Sequence, residues 1–460
     1  MTIETLPGEI LLQVFDLCVN GIFADREGWI TLAHVCRRWR SIVFASPLRL
    51  NLSLCCKASK PVRKMLDIWP PLPIVISDND CSEEGADNVI AALEHNDRLC
   101  KATIQIKGVS SSVVGSLARV LQKPFPELTH LTLRTANETP LFCPENFLGG
   151  SAPRLQFCYL DCLPLLALRQ VLLSARHLVH LHLWKIPTSA YISPEEMVTC
   201  LSAASSLKTL DLGFWSPLSR PGRASQRPPP LIRTILPALT HFSFLGANVY
   251  SEDFFSRIDA PLLDAVDIFL FRTLTFDISQ LHQFMRRTET LSALNTANVV
   301  LGGLWSNVEL SQQTLTHTRI RTSLSIKPNG SDWQFPSLAH AISSLSPTLS
   351  TLETLNVRER GSQPPRPGWE DDMEDNPWLG FFHPFTSVKN LYLSKNIVPF
   401  VVLALLQLAE ERVTDVLPVL QKLYLEGFKP SGLVQDGIGQ FVAARQLINH
   451  PVIVEPWDGS

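Results

Sequence analysis

From Leu128 to Leu425 the chain keeps returning to one pattern, L-x-x-L-x-L or a close apolar variant of it. Matches begin at Leu128 (with Leu131 and Leu133), Leu155 (Cys158, Leu160), Leu178 (Leu181, Leu183) and Leu207 (Leu210, Leu212). They continue at Leu239 (Phe242, Phe244), Leu263 (Val266, Ile268), Leu352 (Leu355, Val357), Val388 (Leu391, Leu393) and Leu420 (Leu423, Leu425). The spacing is uneven, and one long gap separates Leu263 from Leu352, with Leu324 and Ile326 as weaker candidates inside it. The last two apolar positions alternate with the two-residue period of a strand that buries one face. One such strand cannot cover that face alone. The pattern therefore predicts a stack of units, each a short strand, a turn and a helix, closed over a common core. Segments such as Pro194–Ala204 and Val401–Val413 supply helices between strands.

The residues lying between the inward apolar positions must line the opposite face of the same sheet. In order they are His130 and Thr132, Phe157 and Tyr159, His180 and His182, Thr209 and Asp211, His241 and Ser243, and Ala265 and Asp267. Thr354 and Asn356, Asn390 and Tyr392, and Lys422 and Tyr424 follow. Aromatic and histidine side chains cluster in the first half, and rigid aromatic anchors dominate binding surfaces. Tyr159, His180, His182, Trp184 and Asp211 are accordingly the candidate target-binding residues. Two histidines on one strand face can ligate zinc, but a site needs further ligands and none is evident, so no metal or other cofactor is expected.

The amino end poses a different problem. Thr5–Asn20 is a helix candidate with Pro7 in its first turn, where a missing N–H costs nothing. Its polar positions Glu9, Gln13, Asp16 and Asn20 fall in one narrow stripe, and nearly everything else is apolar. Further helices are predicted over Asp25–Cys36 and Arg37–Ala45, the last ended by Pro47. A module this small has too little interior to cover such a helix on most sides, so part of its apolar surface should belong to a partner.

The string Leu6-Pro7-Gly8-Glu9-Ile10-Leu11-Leu12-Gln13-Val14-Phe15 resembles the opening of an F-box. Leu32-Ala33-His34-Val35-Cys36-Arg37-Arg38-Trp39-Arg40 resembles its second half, down to Pro47-Leu48. The connection Asn20–Gly28 is longer and more polar than in the shortest family members. F-boxes bind the Skp adaptor of cullin–RING ubiquitin ligases. The resemblance thus implies that Leu6, Pro7, Ile10, Leu11, Val14 and Phe15 help form the adaptor contact, with Val35 and Trp39 packing the module at its border. The uneven leucine pattern resembles the divergent leucine-rich-repeat-like region that follows the F-box in many fungal proteins of this type. A plain three-helix cap on the stack is the competing reading of the amino end, but a cap needs one apolar face and this first helix has more.

Composition narrows the function classes. The chain has 460 residues, 45% hydrophobic and 18% charged, with a formal net charge of −3. That balance supplies no electrostatic reason for nucleic acid or an anionic membrane as the main partner. No apolar run is long enough to span a bilayer, and the acidic N-terminus argues against a secretory signal. The ten cysteines all fall at or before Cys200, without CxxC pairs; they read as small buried residues of an intracellular protein, cytoplasmic or nuclear. Two segments break the repeat rhythm and read as solvated loop insertions, basic and proline-rich at 220–230 and acidic at 361–377.

No P-loop, GxGxxG, HExxH or GxSxG occurs, and Ser205-Ser-Leu-Lys208 is the start of a repeat strand and not a nucleophile motif. The expected fold is therefore α/β: a three-helix F-box at 1–50, a connector at 51–70, and an irregular leucine-rich-repeat-like solenoid at 71–460 with a parallel sheet on its concave face. The expected role is non-enzymatic, a substrate-recognition adaptor that docks on a Skp-type adaptor, and through it a cullin, while holding a target protein. An F-box scaffold without ligase activity and an enzyme on a repeat scaffold stand as alternatives.

Overall fold

The computed structural model describes residues 5–20, 28–47, 49–50, 53–135, 144, 146–162, 168–187, 191–215, 232–271, 278–292, 294–302, 305–313, 318–327, 339, 342–343, 349–360, 376–408, 412–427 and 432–458. The basic insertion at 220–230, nearly all of the acidic one, Leu48 and the connection at 21–27 lie outside the described residues. Two compact units are present: residues 1–192 with 199–215, and residues 193–198 with 216–460.

The first unit opens with α1 (Gly8–Asn20), α2 (Gly28–Val35) and α3 (Arg37–Phe44). Pro7 stands just before α1, where its carbonyl accepts the Leu11 N–H at 3.1 Å. Cys36 caps α3, its Sγ accepting from the Trp39 N–H. After these helices the chain alternates strand and helix: β1 (Ser53–Leu54), α4 (Val62–Ile68), β2 (Ile74–Cys81), α5 (Ala86–Glu94), β3 (Leu99–Ile106), α6 (Ser111–Val120) and β4 (His130–Thr135). The series ends with β5 (Phe157–Asp161), α7 (Leu168–Ser174), β6 (His180–Ile186) and β7 (Thr209–Phe214); α8 (Pro194–Leu201) leads from one unit to the other along the chain. All seven strands run parallel in sequence order. Leu131, Cys158, Leu181 and Leu210 stand opposite one another, as do Leu133, Leu160, Leu183 and Leu212. Every one of these side chains is buried. Cys158 belongs to that row as an apolar residue, and burial pushes its thiol up to about 12.

In the second unit β8 (Thr234–Ile235) and β10 (Ile258–Asp259) form a small parallel pair. The main sheet runs β9 (His241–Gly246), β11 (Ala265–Phe271), β14 (Thr318–Lys327), β13 (Ser306–Gln313), β12 (Thr296–Gly302), β15 (Thr354–Arg360), β16 (Asn390–Leu393), β17 (Lys422–Glu426) and β18 (Ile453–Trp457). Its helices are α9 (Asn248–Arg257), α10 (Ser279–Arg287), α11 (Glu289–Ser292), α12 (Pro377–Phe382), α13 (Val398–Leu406) and α14 (Leu433–Leu447).

Here the parallel sheet expected from the repeat pattern is interrupted. β12 and β13, and then β13 and β14, pair antiparallel. Only residues 303–305 and 314–317 separate these strands in the chain, too few for the dozen or so that a parallel crossover needs. The meander occupies the long gap in the leucine pattern, and β14 returns to pair parallel with β11 through Leu324 and Ile326.

At the carboxyl end β17 is covered by β18, which among the described residues has a partner on one side only. Ile453 donates its N–H to Gln421 of the connection before β17, and the Trp457 carbonyl accepts from Gly427. Alternate residues of a parallel strand turn their backbone groups to opposite sides, so Pro456 falls on the outward side, where it removes a donor and blunts the edge. Against α14 the loop 413–418 is held by a fully buried arginine. The Arg445 guanidinium donates to the carbonyls of Val413, Leu417 and Pro418, at 2.7–3.5 Å, and burial lowers its pKa from the usual arginine value. Arg445→Ala should destabilise this unit by about 2–4 kcal/mol, because the carbonyls stay buried and lose their donor. Urea unfolding of the variant measures that loss.

Candidate functional site

Within α1 the side chains sort into three stripes. At roughly 100° per residue, Leu11, Phe15 and Val19 fall on one side and Glu9, Gln13 and Asp16 on another, leaving Ile10, Val14 and Leu17 on a third. Leu11 and Phe15 are 0% exposed and join Trp29, Leu32, Ala33, Val43 and Leu50 in the core of the helical module. The Phe15 ring lies 4.7 Å from that of Trp39, and Trp69, beyond α4, closes the far side by meeting Trp29 edge-on at 4.9 Å. Arg38 reaches back to the Leu6 carbonyl, and Arg40 donates to that of Ala33. These two basic residues therefore tie the module together.

The third stripe has no such cover. Ile10 is 41% exposed, Val14 38%, Leu17 77% and Val35, at the end of α2, 56%; Pro7 is exposed and Leu6 partly buried. Of the residues expected to meet an adaptor, Leu11, Phe15 and Trp39 thus pack inward, while Pro7, Ile10, Val14 and Val35 face outward. The difference is physical. Only part of the helix circumference can face the other two helices, and bulky Phe15 opposite Trp39 takes that part. Leu17 is the exposed residue that the family strings did not single out; its place seven residues after Ile10 is the signal that finds it.

Residues 3–55 match the model of the F-box-like family. The chain carries an F-box-like domain. That domain spans α1–α3 and reaches into β1. F-box domains dock on Skp-type adaptors. No curated protein sequence matches the chain.

Beyond the F-box-like domain, the outward face of β3–β7 brings the candidate target-binding residues together. Tyr159 stands opposite His182, and His182 opposite Asp211. The His182 Nδ1 and Asp211 Oδ2 atoms are 2.5 Å apart, and His180 Nδ1 is 3.1 Å from the Thr209 hydroxyl. The rings of His180 and His182 are nearly parallel with centroids 6.4 Å apart. Phe157 lies 5.3 Å and Tyr159 5.8 Å from His182, and His130 stacks on Phe157 at 6.0 Å. Arg134 sits over the Tyr159 ring, 4.4 Å from its centre.

Trp184 is held differently. The register of β6 against β7 shifts between Leu183 and Ile186, and Lys185 takes a positive φ of 50° there. The bulge lays the Trp184 ring on Gly213, where an added Cβ would meet ring carbon Cε3 at 2.4 Å. Any larger residue at 213 must displace the indole.

The electrostatics of this face are those of partly buried groups. Burial first, then neighbouring Lys101 and His180, hold the His130 imidazole below the usual histidine range. Burial likewise raises the Tyr159 phenol, against the nearby Arg134. His130 binds its proton more weakly folded than unfolded, so its contribution to stability is complete above about pH 6.5 and is lost as pH falls toward its depressed folded value. NMR titration should place His130 below that value, and His130→Gln should reduce the acid sensitivity of unfolding between pH 7.5 and 5. Among the described residues, no three His, Cys, Asp or Glu side chains come together as a potential metal site, and no helix is long and apolar enough to cross a membrane.

Proposed function

We propose that this protein is the substrate-selecting subunit of a cullin–RING ubiquitin ligase. The observation that carries the reading is an F-box-like domain at residues 3–55 whose first helix keeps an apolar stripe, Ile10, Val14 and Leu17, in solvent. Ile10, Val14, Leu17, Val35 and Pro7 dock on a Skp-type adaptor. Leu11, Phe15 and Trp39 hold α1 in the orientation that presents them. The repeat-like strands after the F-box-like domain hold a target protein on their outward face, with Tyr159, His180, His182, Trp184 and Asp211 in the contact. The chain makes and breaks no bonds itself. It keeps the target's lysines near a ubiquitin-charged enzyme, replacing a rare encounter with an effective concentration on the order of millimolar.

Purification of the tagged protein from its own cells tests this. Both a Skp-type adaptor and a cullin should co-purify in near-stoichiometric amounts. Recovery of the adaptor without a cullin would leave an F-box scaffold without ligase activity, and recovery of neither would defeat the reading.

A further inference from the structure

Among the described residues, the charges on the outward face of β3–β7 are not balanced. Each acid there already has a basic neighbour: Asp211 is 2.5 Å from the His182 Nδ1, and Asp161 is 3.4 Å from the Lys185 ammonium. Among the described residues, neither Arg134 nor Lys101 forms an ion pair or hydrogen bond with a carboxylate. Arg134 is exposed and sits over the Tyr159 ring, 4.4 Å from its centre. A guanidinium held over a ring keeps an N–H fork that matches a carboxylate. Between these cations and the His182–Asp211 pair lie the rings of His130, Phe157 and Tyr159, which suit apolar or aromatic side chains.

We propose that this face receives an extended acidic peptide of the target, its carboxylates taken by Arg134 and Lys101 and its apolar side chains by the Phe157–Tyr159 row. The proposal rests on the reading that the sheet face of this unit holds the target. Register sets the spacing. Lys101 stands opposite His130 on the neighbouring strand, and Arg134 lies four residues further along β4. The two cations are therefore roughly 14 Å apart at the backbone, the span of two side chains four residues apart in an extended peptide lying along the strands. Aromatic rings and basic side chains on a sheet also suit single-stranded RNA. Asp161 and Asp211 argue against it, because a continuous phosphate backbone crossing the face would run past both carboxylates.

The test uses the full chain, with a Skp-type adaptor added and without it. Fluorescein-labelled nonapeptides with acids at positions three and seven and a randomised apolar and aromatic remainder are compared with the same set carrying Asn and Gln there. Phosphoserine versions and oligouridylate are run beside them. The acidic set should bind at least about tenfold more tightly than the amide set and weaken with salt. Arg134→Gln with Lys101→Gln should reduce that binding about tenfold or more, with adaptor binding and thermal unfolding unchanged. Equal binding of acid and amide sets, no saturable binding, an unaffected double variant, or tighter binding of phosphopeptide or RNA would overturn the proposal. The two readings fail separately. Adaptor binding without peptide binding defeats this proposal alone, and peptide binding by a chain that cannot bind the adaptor defeats the ligase reading alone.

Discussion

Replacing Ile10 by Glu and Val14 by Lys should cut affinity for the Skp-type adaptor by at least about a hundredfold while leaving the chain folded. Both side chains point away from the module's core, so the substitutions add charge to solvent and remove nothing from the interior. A Glu followed four residues later by Lys adds a small favourable helix pair, which guards α1 against unwinding. In a complex the same two groups would sit desolvated against an apolar surface, where loss of one central anchor commonly costs 2 kcal/mol or more. A hundredfold needs about 2.8 kcal/mol, less than two such losses together. Titration calorimetry with purified adaptor measures the affinity, and a thermal melt matching that of the parent chain shows that folding is intact. Leu6→Ala is a poorer probe, because Leu6 packs on the core and its carbonyl accepts from Arg38.

Phe15→Ala should act one helix face away and by the opposite route. Its ring is fully buried against Trp39 and the α2–α3 side chains. Removing such a ring costs about 3–5 kcal/mol, on the order of the whole stability of a module this small. Amide protection in α1, α2 and α3 should collapse, while β4–β7 keep theirs. Adaptor binding would then fail because the domain is unfolded, not because a contact is missing. Retained protection in α1–α3 would show that Phe15 is not the keystone its burial makes it.

Strands were legible where the L-x-x-L-x-L pattern or a close apolar variant marked them, from β4 through β7 and again at β9, β11 and β15–β17. Two missed strands carry the same pattern with alanine in the middle: Leu99, Ala102 and Ile104 in β3, and Leu294, Ala297 and Val299 at β12. All six side chains are buried, but alanine is a weak strand former and hides the alternation. The antiparallel return through β13 and β14 was not legible, because its polar strands carry Ser311 and Thr322 inside and the pattern looked only for parallel units. Helix limits in the F-box-like domain came within a few residues, since proline and the apolar run mark them.

Which apolar residues of α1 would face outward was harder. The stripe of Glu9, Gln13, Asp16 and Asn20 was plain, but dividing the remaining circumference between core and solvent depends on where α2 and α3 pack. That is a tertiary property. The sheet face was easier, because a two-residue period leaves only two sides: Tyr159, His180, His182 and Asp211 had to share one. The rest of that site comes from features with no sequence period, namely the bulge at Lys185 and the seat that Gly213 offers Trp184.

Hydrogen–deuterium exchange of the full chain, with and without saturating adaptor, tests the central claim most directly. New protection should appear in α1 and the end of α2, around Ile10, Val14, Leu17 and Val35, with β3–β7 unchanged and left open for a target. Protection that appears on the β3–β7 face instead, with α1 exchanging as before, would contradict the account.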